Sequence, residues 1–157
     1  MSTQSPPWSI KTRPSNRLSS SSLTMPPFYE LSLARFAHSH SKSTWAIAVL
    51  FTPSSGHSLV YKIIGSTADF SLDVPQSVTL SQGENGFLGK IPVGLVDSDH
   101  LHQLHPTLAA IPIIRENPAW NSRNWVIEGI LALRDLQGCH IDNHVTLQWL
   151  SDRLAEK

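Results

Sequence analysis

Apolar residues become frequent and regularly placed from about residue 44 onward. Residues 44–51, TWAIAVLF, form a short and nearly continuous apolar run, which is typical of a strand covered on both faces. The turn residues TPSSGH follow, and residues 58–65, SLVYKIIG, have the composition of a second strand. Residues 44–65 therefore predict a β-hairpin.

Three further strand candidates lie between this hairpin and residue 97. Residues 68–74, ADFSLDV, and residues 77–81, SVTLS, are the weaker ones, and residues 91–96, IPVGLV, form the third. Between them, residues 81–90 contain three glycines in the sequence SQGENGFLGK and are predicted to form a loop.

The spacing of apolar residues becomes helical after residue 97. Asp97 can cap a helix over residues 98–111, because its carboxylate can accept a free N–H group of the first turn. Pro106 should kink this helix or divide it into two turns. The apolar residues that form its stripe are Leu101, Leu104, Leu108 and Ile111.

Two more helices are predicted in the last quarter of the chain. Asn121 can cap a helix over residues 122–136, which Gly138 would end. Asn143 can cap a last helix that runs to the C-terminus. The stripe residues of these two helices are Val126, Ile130 and Leu133, and Leu147, Leu150 and Leu154, respectively.

These elements predict an α+β fold in which an antiparallel sheet, with its hairpin, packs on helices. Trp45 and Trp125 should pack the hairpin against the helix that begins at Ser122. We expect one domain over residues 28–157, since the length and the 40% content of hydrophobic residues suit a single core.

Residues 1–27 form a Ser- and Pro-rich leader without periodic apolar residues, and we expect it to be disordered. It is basic and free of acids, so it also resembles a mitochondrial transit peptide. Pro6, Pro7 and Pro14 interrupt any amphipathic helix in it, which favours an inert tail instead. The start of translation stays open between Met1 and Met25.

Composition narrows the classes of partner. The 12 basic residues balance the 12 acidic ones, so no overall field favours nucleic acid or an anionic membrane. No apolar run reaches the length of about 18 residues that a membrane span needs. The single cysteine, Cys139, excludes an internal disulfide and favours a reducing compartment, so we expect a cytoplasmic protein.

Short motifs in the predicted strands and helices resemble a known group of proteins. TWAIAV resembles the H-W-A-I-x-V strand of lecithin retinol acyltransferase-like proteins, which belong to the permuted papain-like (NlpC-like) thiol hydrolases and acyltransferases. NSRNWV resembles their N-C-x-x-F/W-V helix start. Residues 44–137 are also similar to a fungal family of small proteins with the pattern H-W-A, Y-H-V-x-G, I-P-V-G and N-C-Q-x-W-V, matched here by TWA, YKIIG, IPVG and NSRNWV.

The resemblance implies a permuted papain-like topology and a thiol mechanism whose residues are replaced. In such a site a cysteine on the first turn of a helix is activated by the helix N-terminus and by a histidine on a neighbouring strand. Here the nucleophile position is Ser122, the base position is Thr44 and the second histidine position is Lys62. A serine needs a general base, and Thr44 cannot supply one, so the thiol mechanism is absent.

Two interpretations of Ser122 stay open. In one, Lys62 is buried with a lowered pKa and forms a Ser-Lys dyad with Ser122. In the other, which we favour, Lys62 extends its amine into water and Ser122 is an ordinary residue of the first turn. The remaining residues expected to contact a ligand are Asn121, Trp45 and Trp125.

The eight histidines raise the question of a metal site. His102 and His105, with Asp99, lie on one predicted helical face, which is also its solvated face. Residues 38–40, HSH, fall in an expected polar linker, and Cys139 is expected to be a packed thiol. We therefore assign no metal ligands and predict no cofactor.

Two functions follow as hypotheses. The first is a catalytically degenerate or repurposed papain-like domain that binds a small ligand or a protein partner in the former active-site cleft. The second is a small enzyme, either a hydrolase or acyltransferase that depends on Ser122 or an auxiliary catalyst of fungal natural-product biosynthesis. Neither hypothesis involves nucleic acid or a membrane span.

Overall fold

The computed structural model describes residues 27–39, 42–52 and 54–155. The predicted leader, except for residue 27, lies outside the described residues. Within them, the fold is α+β, with a mostly antiparallel sheet of six strands and three α-helices. The strands are β1 (Phe28–Ser39), β2 (Lys42–Thr52), β3 (His57–Tyr61), β4 (Ile63–Ile64), β5 (Ser71–Leu72), β6 (Gln76–Thr79), β7 (Phe87–Asp97) and β8 (Cys139–Ile141). The helices are α1 (Leu104–Ala109), α2 (Ser122–Arg134) and α3 (Leu147–Ala155).

The predicted hairpin is confirmed as the antiparallel pair β2–β3, in the sheet order β6-β3-β2-β1-β7-β8. Its second strand is shorter than predicted. Pairing with β2 ends at Ile47↔Tyr61, and Lys62 interrupts the strand before β4, which pairs with β5 in a separate two-stranded sheet. Strand β2 therefore extends past the end of β3.

Strand β1 was not predicted, although it lies in the middle of the sheet between β2 and β7. The segment at residues 38–40 was expected to be a polar linker, but His38 belongs to β1. His40 lies outside the described residues. The Gly-rich loop was also predicted too long, because Phe87–Lys90 already form the start of β7.

Both faces of the central strands are covered, as the apolar run in β2 predicted. Side chains alternate along each strand, so one face packs against the helices and the other does not. The helix-side face includes Leu33, Trp45, Ile47 and Tyr61, all buried in the main core. The opposite face forms a smaller core, whose members are Ala34, Phe36, Ala46, Ala48, Leu50, Val60, Leu80 and Phe87.

The segment after β7 differs from the single kinked helix that was predicted. Asp97 caps it as expected, accepting the Asp99 N–H at 3.0 Å, but the first turns are a 3-10 helix, Ser98–Gln103. Helix α1 follows, with Pro106 in its first turn. There the missing N–H of proline has no intrahelical partner to lose, so Pro106 does not break the helix.

The Asn121 cap of α2 is confirmed and is a full capping box. The Asn121 Oδ1 accepts the Arg123 N–H at 2.9 Å, and the Asn124 Oδ1 accepts the Asn121 N–H at 2.8 Å. The prediction that Asn143 caps α3 is wrong. Thr146 takes that role, because its Oγ1 accepts the Trp149 N–H at 3.1 Å directly before the helix.

No helix in the described ranges has both the length and the apolar character required to traverse a lipid bilayer.

Candidate functional site

A cleft of about 640 Å³ lies where the free end of β2 meets the N-terminus of α2. Thr44, Lys62 and Ser122, the three positions at which the resemblance implies substituted catalytic residues, all line it. Trp45 and Asn121, which were predicted to contact a ligand, line it as well. Five of the six candidate site residues therefore share one hollow, and the sixth, Trp125, does not line it.

Ser122 is held by the backbone of the neighbouring strand. Its Oγ accepts the Trp45 N–H at 3.0 Å, and only 8% of Ser122 is exposed. Trp45 lies in the part of β2 that extends beyond its last pair with β3, so no carbonyl of β3 is paired with this edge to accept the Trp45 N–H. The Ser122 hydroxyl completes the hydrogen bonding of β2 at this point.

Thr44 and Lys62 approach the cleft from the other face of the sheet. Thr44 pairs with Phe36 across β1 and β2, and directly paired residues of antiparallel strands project on the same face. The Lys62 Nζ lies 5.6 Å from the centroid of the Phe36 ring. Both side chains are thus on the Phe36 face, whereas Trp45 is on the helix-side face.

This arrangement gives Ser122 no base. Within the described ranges, no Lys, His, Asp or Glu side chain forms a hydrogen bond with the Ser122 Oγ, whose protein partner is the Trp45 amide. A serine hydroxyl without a base in hydrogen-bond contact is a poor nucleophile. The placement of Lys62 against Phe36 favours the interpretation in which Ser122 is a structural residue.

Trp125 lies outside the cleft. Its side chain is fully buried in the main core, behind the first turn of α2. Trp125 does not line this cleft, so its predicted contact with a ligand stays a prediction, while its predicted role in packing the sheet against α2 is consistent with its position in that core.

Cationic side chains that the sequence analysis did not single out also line the cleft. They are Arg35 on β1 and Arg123 on α2, and His38 near the end of β1 adds an imidazole. The Arg35 Nε donates to the Ser43 Oγ at 3.0 Å, and its guanidinium lies 6.0 Å from the Trp45 ring centroid. The alternation in residues 28–36 is the signal that could have placed Arg35 on the same face as Trp45.

Apolar walls complete the cleft. Trp45 and Trp120 are each only 7% exposed, and Phe70 meets Trp120 edge-to-face with ring centroids 5.8 Å apart. Ile63 adds an aliphatic surface. The cleft therefore combines polar and cationic groups with an aromatic lining of which the two tryptophans expose only a small part.

The candidate metal ligands that the structure describes are not grouped into a three-residue site. Across residues 27–39, 42–52 and 54–155, no group of three or more His, Cys, Asp or Glu side chains is arranged to hold a metal ion. Cys139 is buried in β8, outside the cleft, and this burial raises the pKa of its thiol to about 11. A thiol in that environment stays protonated near neutral pH and is a poor nucleophile.

Comparison of the chain with protein-family models, with curated protein sequences and with solved structures finds no match.

Proposed function

We propose that this protein is a catalytically degenerate member of the permuted papain-like (NlpC-like) group and binds a small molecule in its former active-site cleft. The observation that carries the proposal is that one cleft collects all three substituted positions, Thr44, Lys62 and Ser122. Its volume of about 640 Å³ lies within the range of about 300–1,000 Å³ that is common for ligand pockets.

The position of Ser122 supports the kinship part of this proposal. It is the first residue of α2, directly after a capping asparagine, and it touches the strand that contains TWAIAV. A thiol at this position would face the end of β2, as the resemblance requires. The permuted topology and the fungal family remain part of the proposal.

The chemistry of the cleft favours binding over catalysis. Ser122 has its oxygen engaged by a backbone amide, Thr44 cannot act as a base, and the Lys62 amine lies against Phe36. Phe70 and the small exposed parts of Trp45 and Trp120 offer a ligand a limited but rigid apolar surface at a low entropic cost.

The test is binding of a small-molecule set that spans neutral, anionic and cationic compounds, followed by calorimetry on each compound that raises the melting temperature. Thr67→Trp places a large side chain on the wall of the cleft and should abolish binding. Thr79→Trp is the matched control, because Thr79 is an exposed threonine on β6, outside the cleft. Binding that survives Thr67→Trp, or a set in which nothing binds, would overturn the proposal.

A further inference from the structure

Among the described residues, the charged side chains that line the cleft are of one sign. They are Arg35, Lys62 and Arg123, and within residues 27–39, 42–52 and 54–155 no Asp or Glu lines it. This bias is opposite to that of residues 27–155 as a whole, which contain eight Lys and Arg against eleven Asp and Glu. Composition alone would predict an acidic lining, so the concentration of cations is a property of the site.

The three cations come from separate elements of the fold. Arg35 is on β1, Lys62 lies in the break between β3 and β4, and Arg123 is on the first turn of α2. Like charges that line one concavity repel each other. Among the described side chains, none of the three forms an ion pair with a carboxylate. An anion in the cleft would remove this repulsion.

Side chains, and not the helix terminus, provide the attraction. The capping box already occupies the N–H groups of Arg123 and Asn124 at the start of α2. Arg35, by contrast, uses one N–H for Ser43 and is packed near Trp45, so its guanidinium is oriented with further donors to spare. Guanidinium groups bind carboxylate and phosphate oxygens in a fork geometry that lysine alone does not provide.

We propose that the ligand of this cleft is a small organic oxyanion, a carboxylate or phosphate group joined to an apolar body. The charged group would lie against Arg35 and Arg123 and the apolar body against Trp45, Trp120 and Phe70. This inference rests on the proposed function, because it names the class of ligand that the same cleft takes.

The experiment uses four compounds with the same eight-carbon chain: octanoate, octyl phosphate, octanol and octylamine, each below its micelle concentration. Calorimetry on the full chain should show binding of octanoate, octyl phosphate or both. Octanol and octylamine should bind at least about tenfold more weakly than the anions. This is the factor expected for losing a charge-assisted hydrogen bond. The two anions distinguish a carboxylate site from a phosphate site.

Variants locate the interaction. Arg35→Gln and Arg123→Gln should each weaken binding of the anion about tenfold, and added salt should weaken it further. Arg123 is exposed, so its substitution should leave the fold intact even if Arg35→Gln does not. Lys90→Gln is the matched control, because it removes the same charge at a position paired with Glu30, outside the cleft.

The outcomes separate this inference from the proposed function. If octanol or octylamine binds as tightly as the anions and Thr67→Trp abolishes that binding, the cleft is a ligand site but its ligand is not an oxyanion. If the anions bind and neither arginine variant weakens them, the inference is wrong. If none of the four compounds binds, the inference also fails, while a hit of other chemistry in the wider set would still support the proposed function.

Discussion

Replacing Ser122 with alanine tests whether this residue is structural or catalytic. The substitution removes the oxygen that accepts the Trp45 N–H at 3.0 Å in a site where Ser122 is 8% exposed. A buried donor left without its partner costs about 1–3 kcal/mol. We therefore expect Ser122→Ala to lower the free energy of unfolding by about that amount.

The assay is urea unfolding followed by tryptophan fluorescence, with amide hydrogen exchange at Trp45 as a second readout. Ser151→Ala is the control, because Ser151 is an exposed serine on α3 and its loss should change stability by about 0.5 kcal/mol or less. Exchange of the Trp45 amide should become faster in Ser122→Ala and stay unchanged in Ser151→Ala.

A fluorophosphonate probe completes the test. Since no base contacts the Ser122 Oγ among the described residues, the unmodified protein should not be labelled at Ser122. If Ser122→Ala is as stable as the parent protein, or if Ser122 is labelled, the structural interpretation of this hydroxyl is wrong.

Three further predictions concern packing, capping and pH. In Gly94→Ala, the added Cβ would lie within 3.1 Å of the backbone of His140, so we expect the free energy of unfolding in urea to fall by more than about 2 kcal/mol. The control is Gly83→Ala, where the space around the added Cβ is open and a loss of about 1 kcal/mol is expected. Asn121→Ala should lower stability by about 1 kcal/mol, because it removes the side chain that accepts the first N–H groups of α2. Burial raises the pKa of Cys139 to about 11, whereas a thiol in the unfolded chain has a pKa of about 8.5. The stability contributed by the protonated thiol is therefore present below about pH 8.5 and is lost as the pH rises toward 11. The free energy of unfolding, measured in urea at about pH 7 and about pH 10, should fall less between these pH values in Cys139→Ala than in the parent protein. An equal fall in both proteins would contradict a raised pKa of the Cys139 thiol.

The hairpin and the cap of α2 could be predicted because each depends on neighbours in sequence. The apolar run of residues 44–51 predicts a strand buried on both faces, and Asn121 directly precedes the helix that it caps. The prediction that Asn143 caps α3 was wrong for a related reason. Asn143 and Thr146 are both competent caps by type, and only the start of the helix at Leu147 decides between them.

The charge of the cleft could not be predicted because it depends on strand register. Arg35 belongs to a strand that the sequence analysis missed, since its polar end at His38 was interpreted as a linker. Lys62 was identified as a cleft residue, but the face on which it lies follows from its approach to Phe36, which no local pattern contains. Trp125 was expected at the ligand and is in the core, because it follows Ser122 by about one turn on the buried face of α2 and so lies deeper than the residue that lines the cleft.

The hydrogen bond between Ser122 and Trp45 joins positions 77 residues apart in the chain. Closing so long a loop is entropically costly and slow compared with forming the β2–β3 hairpin. We therefore expect the hairpin to form early during folding, while the mouth of the cleft is completed only when α2 docks. A destabilised α2 would leave the Trp45 N–H without its partner and open the cleft while the end of β2 stays paired with β1.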